Sequence, residues 1–173
     1  MSVDDDEEST AASSFIQDAL PPLLGRRCMS LIELRVYGLP APQGSKRHVG
    51  GGVMVESSKA LKPWREAVKT AAREAAERQG FLQIPRSTPV YMDVTFIFPR
   101  PASHYGTGRN AGVLKPNAPR WKTTAPDLSK LVRATEDAIT DAGLWADDAL
   151  VVMGRTYKIY GDQPGALITL GTL

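Results

Sequence analysis

Val90-Tyr91-Met92-Asp93-Val94-Thr95-Phe96-Ile97-Phe98 is the most strongly patterned stretch of this 173-residue chain. Val90, Met92, Val94, Phe96 and Phe98 share one side of an extended backbone, so the stretch predicts a strand with one face given over to a core. Upstream, Ile32, Leu34 and Val36 alternate with Glu33, Arg35 and Tyr37, which predicts a half-buried strand over Leu31 to Tyr37. Downstream, Leu150 to Tyr160 and Ala166 to Leu170 read as two further strands, with a turn at 161–165 between them. A short strand is also expected near Val53 to Val55.

Two helices fill the intervals. Ser58 to Arg78 places Leu61, Trp64, Val68, Ala71, Ala72 and Ala75 at helical spacing. Pro63 sits near the start, where its missing N–H is tolerated, and Gly80 supplies a stop. Leu128 to Ala142 presents Leu128, Leu131, Val132, Thr135, Ala138, Ile139 and Ala142 on one face and ends at Gly143. The order β–α–β–α–β–β carries no internal repeat. It predicts an α+β fold over residues 31–173: a single domain with a mixed β-sheet packed against two main helices.

The first 30 residues have a different character. Asp4, Asp5, Asp6, Glu7, Glu8 and Asp18 face only Arg26 and Arg27, a net charge of −4. The remaining residues carry 19 basic and 13 acidic side chains, a net charge of +6. Residues 1–30 are therefore expected to be a disordered acidic extension, too polar to offset their ordering entropy. The acidic start argues against a secretory signal, and no apolar run approaches the roughly 18 residues that span a bilayer. A cytoplasmic protein without membrane contact is the expectation. Cys28 is the only cysteine, which excludes an intrachain disulfide and any multi-cysteine zinc site. Gly50-Gly51-Gly52 lacks the Lys-Ser/Thr ending of a phosphate-binding loop and reads as a hinge. No nucleophile-elbow motif surrounds any serine.

Two groups of charged residues remain. Asp127 precedes the second helix, and Asp147-Asp148 follows it. A 15-residue helix is about 22 Å long, so these acids meet only if the chain folds back along the helix or a second copy supplies one of them. Carboxylates gathered without a basic partner favour a cation, and Mg²⁺ suits one or two carboxylates plus substrate phosphate. As an alternative, Asp127 simply starts the helix and Asp147-Asp148 makes a turn. The stretch from Pro99 to Ala125 reads as a long loop with Arg100, Arg109, Lys115, Arg120 and Lys122 and no acid. Tyr105 and Trp121 are interleaved with these bases. Lys46-Arg47 closes an earlier loop, and Lys130 lies on the second helix. These eight cations are candidate contacts for a nucleic-acid backbone, with a merely solvated loop as the alternative. Trp64 reads as core, and His104 and Tyr105 as loop surface.

Thr124-Ala125-Pro126-Asp127-Leu128-Ser129-Lys130-Leu131, followed by Asp137-Ala138-Ile139 and Gly143-Leu144-Trp145-Ala146-Asp147-Asp148, resembles the RusA family of Holliday junction resolvases, found in bacteria, prophages and phages. Val36 to Arg47 and Phe96 to Tyr105 resemble further parts of the same family, so the likeness spans about residues 31–170. It implies a homodimeric, Mg²⁺-dependent endonuclease, with Mn²⁺ as a substitute, that nicks four-way DNA junctions in recombination and repair. A two-fold dimer suits a junction that is itself pseudo-two-fold.

Carried over from the family, Asp127 and Asp148 are acidic metal ligands, with Asp147 as a replacement ligand. Two positions depart from the pattern. Ser129 stands where the family has a second aspartate, and Arg133 where it has a lysine. A hydroxyl is a weaker ligand for a hard dication; Ser129 is alternatively a helix cap. Arg133 keeps the charge but cannot exchange a proton. The resemblance leaves open an active enzyme, a junction-binding protein that does not cut, and an introduced substitution at Ser129.

Overall fold

The computed structural model describes residues 31–44, 46–48, 54–56 and 59–173. The acidic extension, Cys28 and the Gly50–Gly52 hinge lie outside the described residues, as do the side chains of Lys46 and Arg47.

Five strands form one mixed sheet. They are β1 (Leu31–Tyr37), β4 (Val90–Pro99), β5 (Val151–Met153), β6 (Thr156–Gly161) and β7 (Gly165–Thr172). Between β1 and β4, β2 (Lys46–His48) and β3 (Met54–Glu56) form a separate antiparallel pair, with Arg47 opposite Val55. In the main sheet β7 lies between β1 and β4, antiparallel to both. On its other edge β4 pairs in parallel with β6 and, at Val90 and Tyr91, with β5.

Two helices pack on the sheet and on each other: α1 (Leu61–Gln79) and α2 (Leu128–Ala142). Leu61, Trp64, Val68, Ala72 and Ala75 form the buried stripe of α1, and Leu131, Ala134, Thr135, Ala138 and Ile139 that of α2. They meet Ile32, Leu34, Val36, Met92, Val94, Phe96, Ala166, Ile168 and Leu170 in one core cluster. The α+β class and the single-domain architecture stand. Trp64 is core, as its spacing implied.

Three expectations change. The strand expected over Leu150 to Tyr160 is broken into β5 and β6. At Gly154 a Cβ would collide with the Met92 carbonyl oxygen, and at Arg155 the backbone N–H turns to Asp93 Oδ1 at 2.6 Å. Close approach and side-chain capture interrupt the ladder there. Lys46 to His48, read as loop, pairs as β2. The long loop from 99 to 125 is organised by short helical turns at Ala102–His104 and Gly108–Asn110 and by bridges joining Tyr105 to Leu114 and Trp121 to Ile159.

Candidate active site

The acids after α2 are placed by buried neighbours. Gly143 takes the left-handed conformation, φ 85°, and its N–H closes the helix onto the Ile139 and Thr140 carbonyls. Leu144 and Trp145 then plunge into the core. Trp145 Nε1 donates to Thr140 Oγ1 at 2.6 Å, and Ile84 N donates to the Leu144 carbonyl at 2.8 Å. Asp147 follows in an extended conformation, its Oδ1 accepting from Ala149 N at 2.8 Å to open a short helical turn over Asp148–Leu150. Asp147 and Asp148 are thus displayed, exposed, from an anchored turn.

They line an open cavity of about 210 Å³ with Arg65, Asp137, Thr140, Asp141 and Ala146. Four carboxylates share this space with one arginine. Arg65 reaches across from α1 to Asp137 at 3.3 Å and Asp141 at 2.7 Å, which ties the two helices together. Asp147 and Asp148 take no part in that pairing. Asp148 also lies within electrostatic reach of Glu136. Burial first, then the charges of Asp148 and Asp137, push the Glu136 carboxyl above its ordinary range, and Arg133 partly opposes them. The chain therefore turns back beside the end of α2, far enough for Asp148 to share a cavity with Asp137 and Asp141 but not to reach Asp127.

Asp127 occupies the opposite end. It is the N-cap residue of α2, and its backbone carbonyl accepts from Leu131 N at 3.2 Å. Its side chain makes no cap hydrogen bond and pairs with Lys130 Nζ at 3.2 Å. Glu136 is nine residues further on, about 13 Å along the axis. Asp127 is not among the residues lining the cavity. Among the described residues no three His, Cys, Asp or Glu side chains are grouped to hold one ion.

Ser129 is not the cap. The extended backbone ends at Asp127 and the helix starts at Leu128, so helical rotation, not strand alternation, governs Ser129. It shares a helix stripe with Arg133, Glu136 and Thr140, at i, i+4, i+7 and i+11. Glu136 is the residue that sequence reasoning passed over. The available signal was its place on the same stripe as Ser129 and Arg133, but its relation to Asp148 is tertiary.

The candidate DNA-binding side chains divide by what they touch. Arg100 donates to the Pro119 carbonyl at 3.0 Å and the Tyr160 carbonyl at 3.4 Å. Lys115 Nζ donates to the Ser103 carbonyl at 2.8 Å. Lys122 Nζ bonds Thr124 Oγ1 at 2.8 Å and sits 5.1 Å from the Phe98 ring centre and 5.5 Å from that of Tyr160. Arg120 lies 5.1 Å over the Trp121 ring. Arg109 is exposed on its helical turn. Lys158, which sequence reasoning did not single out, holds the approach to α2. Its Nζ donates to the Thr124 carbonyl at 2.8 Å and the Pro126 carbonyl at 2.7 Å. His104 packs edge-on against Tyr160 with ring centres 4.8 Å apart, so it is more than loop surface.

A cation-poor acidic cavity at one end of α2, and a basic loop leading into its other end, define a domain suited to phosphodiester chemistry on a polyanion. The family model of Endodeoxyribonuclease RusA matches residues 38–171. The chain belongs to the RusA endodeoxyribonuclease family. No curated protein matches the chain. No helix among the described residues is long and apolar enough to cross a membrane.

Proposed function

We propose that this protein is a structure-selective endonuclease that resolves four-way (Holliday) junctions by metal-dependent hydrolysis of the phosphodiester backbone. The observation that carries the reading is the charge imbalance at the end of α2. Asp137, Asp141, Asp147 and Asp148 face a single guanidinium, and burial together with the charges of Asp148 and Asp137 raises the pKa of nearby Glu136. Such a group is costly unless a cation joins it. The donor set fits Mg²⁺ or Mn²⁺, which need few protein carboxylates when waters and phosphate oxygens complete the shell. Asp148 and Asp147 are the ligands at this end. When bound, the dication supplies Lewis-acid stabilisation and a water of lowered pKa.

The protein's own residues do the rest. Arg133 carries the only positive charge on the Ser129–Glu136 stripe and orients a substrate phosphate. Asp127 lies at the other end of α2, so a homodimer in which ends of two helices face each other would let each site draw on both copies. Lys46, Arg47, Arg109, Lys122 and Lys130 position the DNA arms as phosphate contacts. The protein is expected to act in recombination and repair in the cytoplasm of a bacterial or phage-infected cell.

The test is nicking of a synthetic four-way junction with Mg²⁺ or Mn²⁺, against a linear duplex of the same sequence. Selective nicking of the junction supports the reading, and equal nicking of both leaves an unselective nuclease. Mixing Asp127→Asn and Asp148→Asn subunits tests the shared site: recovered activity requires that each site use both copies.

One observation favours a second reading, junction binding without cutting. Ser129 offers a hydroxyl where the family has a carboxylate. In that case junction affinity is independent of metal, and Ser129→Asp creates nicking activity.

A further inference from the structure

Of the three tryptophans, Trp64 and Trp145 are buried at 2% and 1% exposure, and Trp121 is 49% exposed. A large exposed aromatic side chain calls for an explanation when its backbone is fixed. That of Trp121 is fixed. Trp121 is joined to Ile159 on β6 by an isolated antiparallel bridge. Tyr160 N donates to the Arg120 carbonyl at 2.9 Å, and Lys122 N to the Lys158 carbonyl at 3.0 Å. Arg100 clamps the preceding Pro119 carbonyl at 3.0 Å.

Around the indole, the Tyr157 ring lies 6.0 Å away, tilted by 39°. The Arg120 guanidinium lies 5.1 Å from the indole centre. The surrounding segment, Pro99 to Ala125, contains no acid. Five residues separate Trp121 from Asp127, and Lys158 ties that linking segment down at Thr124 and Pro126. A rigid, half-open indole beside a second ring, bordered by the Arg120 guanidinium and joined to the head of α2, matches the requirements of a base-stacking site on single-stranded DNA. Full exposure on a mobile loop would lose that advantage, because ordering the ring would offset the stacking gain.

We propose that Trp121, with Tyr157 beside it, is a stacking platform for an unpaired nucleobase of the DNA substrate. The partner is DNA with an unstacked base, such as the exchange point of a branched molecule offers; paired duplex, whose bases are already stacked, gains little from it. A second copy of this chain would be an alternative occupant, but the acid-free, basic segment that carries Trp121 favours a polyanion. The proposal rests on the DNA-substrate reading above and goes beyond it by assigning a contact to bases where that reading has only phosphate contacts.

The experiment measures affinity of the full-length protein for an eight-nucleotide oligothymidylate, a four-way junction and a blunt linear duplex. Wild type, Trp121→Ala and Trp121→Phe are compared, with tryptophan emission followed throughout. Stacking predicts that oligothymidylate quenches the exposed tryptophan. Trp121→Ala weakens oligothymidylate and junction binding about 10-fold, the duplex less than about 2-fold, and Trp121→Phe restores most of the loss. Equal losses on all three DNAs, no loss on any, or binding without quenching overturns it. A junction bound tightly and indifferently to Trp121→Ala removes the platform and leaves the endonuclease reading intact. Stacking on oligothymidylate without junction selectivity does the reverse.

Discussion

Among the described residues arginine meets aspartate at two places, with opposite results. At the break between β5 and β6, Arg155 and Asp93 are matched. The guanidinium donates to Asp93 Oδ2 through Nε at 3.1 Å and through a terminal nitrogen at 2.7 Å, and the Arg155 backbone N–H takes Oδ1 at 2.6 Å. Tyr91 donates its hydroxyl to the same carboxylate and accepts from Arg155 at 3.1 Å. One charge cancels one charge, and every oxygen has a partner. At the end of α2, Arg65 serves Asp137 and Asp141 and leaves Asp147 and Asp148 outside the pairing. The first arrangement is complete and holds a strand junction. The second is short of positive charge, which is the condition for binding a dication. Charge balance, not the presence of acids, separates a structural cluster from a candidate site.

The sharpest way to break this comparison is Asp148→Asn. If the α2 cluster is the metal site, junction nicking falls about 100-fold or more, the scale of a lost metal-ion contribution. The fold should keep its thermal midpoint or gain slightly, since a charge leaves a crowded group. Wild-type nicking rates in this variant would make the second cluster structural like the first.

Asp93→Ala tests the other side. It removes the carboxylate shared by the Arg155 guanidinium and the Tyr91 hydroxyl, both partly or fully buried, and should cost about 2–3 kcal/mol in denaturant unfolding. The metal dependence of the remaining folded enzyme should not move. A loss below about 0.5 kcal/mol would reduce the cluster to an ordinary surface pair.

A smaller effect ties metal to stability. Mg²⁺ binding only the native state should stabilise it by about 1.4 kcal/mol at ten times the dissociation constant. The stabilisation should vanish in Asp148→Asn and persist in Asp93→Asn. Equal stabilisation of all three proteins by Mg²⁺ would place the ion elsewhere.

How much of this could be read in advance follows from the range of each interaction. β1 and α2 were legible to the residue, because alternation and a 3.6-residue stripe are local and Gly143 marks the stop. The division of β5 from β6 was not. Gly154 and Arg155 look compatible with a strand, and only the Met92 carbonyl and Asp93, some sixty residues earlier, break it. Within the site, Asp147 and Asp148 were legible from the motif around Trp145. Glu136 was not, since an acid on an exposed helix stripe looks solvated until Asp148 is folded against it. The basic loop is a third case: a count of its cations does not show that Arg100 and Lys115 also hold the loop's own carbonyls.

The finest test concerns Tyr91, the neutral member of the matched cluster. Burial first, then the hydrogen bond to Asp93, pushes its pKa up to about 12, against about 10 in an unfolded chain. Between those values the unfolded state loses its proton while the folded state keeps it. Stability contributed by the neutral phenol is therefore fully present below pH 10 and is lost as pH rises from about 10 to about 12, by at most about 1.4 kcal/mol per pH unit. Lysines and other tyrosines titrate in the same window, so the informative quantity is a difference. Tyr91→Phe cannot ionise, and its unfolding free energy should fall less steeply with pH than that of the wild type over this interval. Below pH 9 the two curves should run parallel, offset by the lost hydroxyl contacts. Parallel curves up to pH 12 would mean that Asp93 and Arg155 form a balanced pair without holding the phenol, and the matched cluster would shrink to two residues.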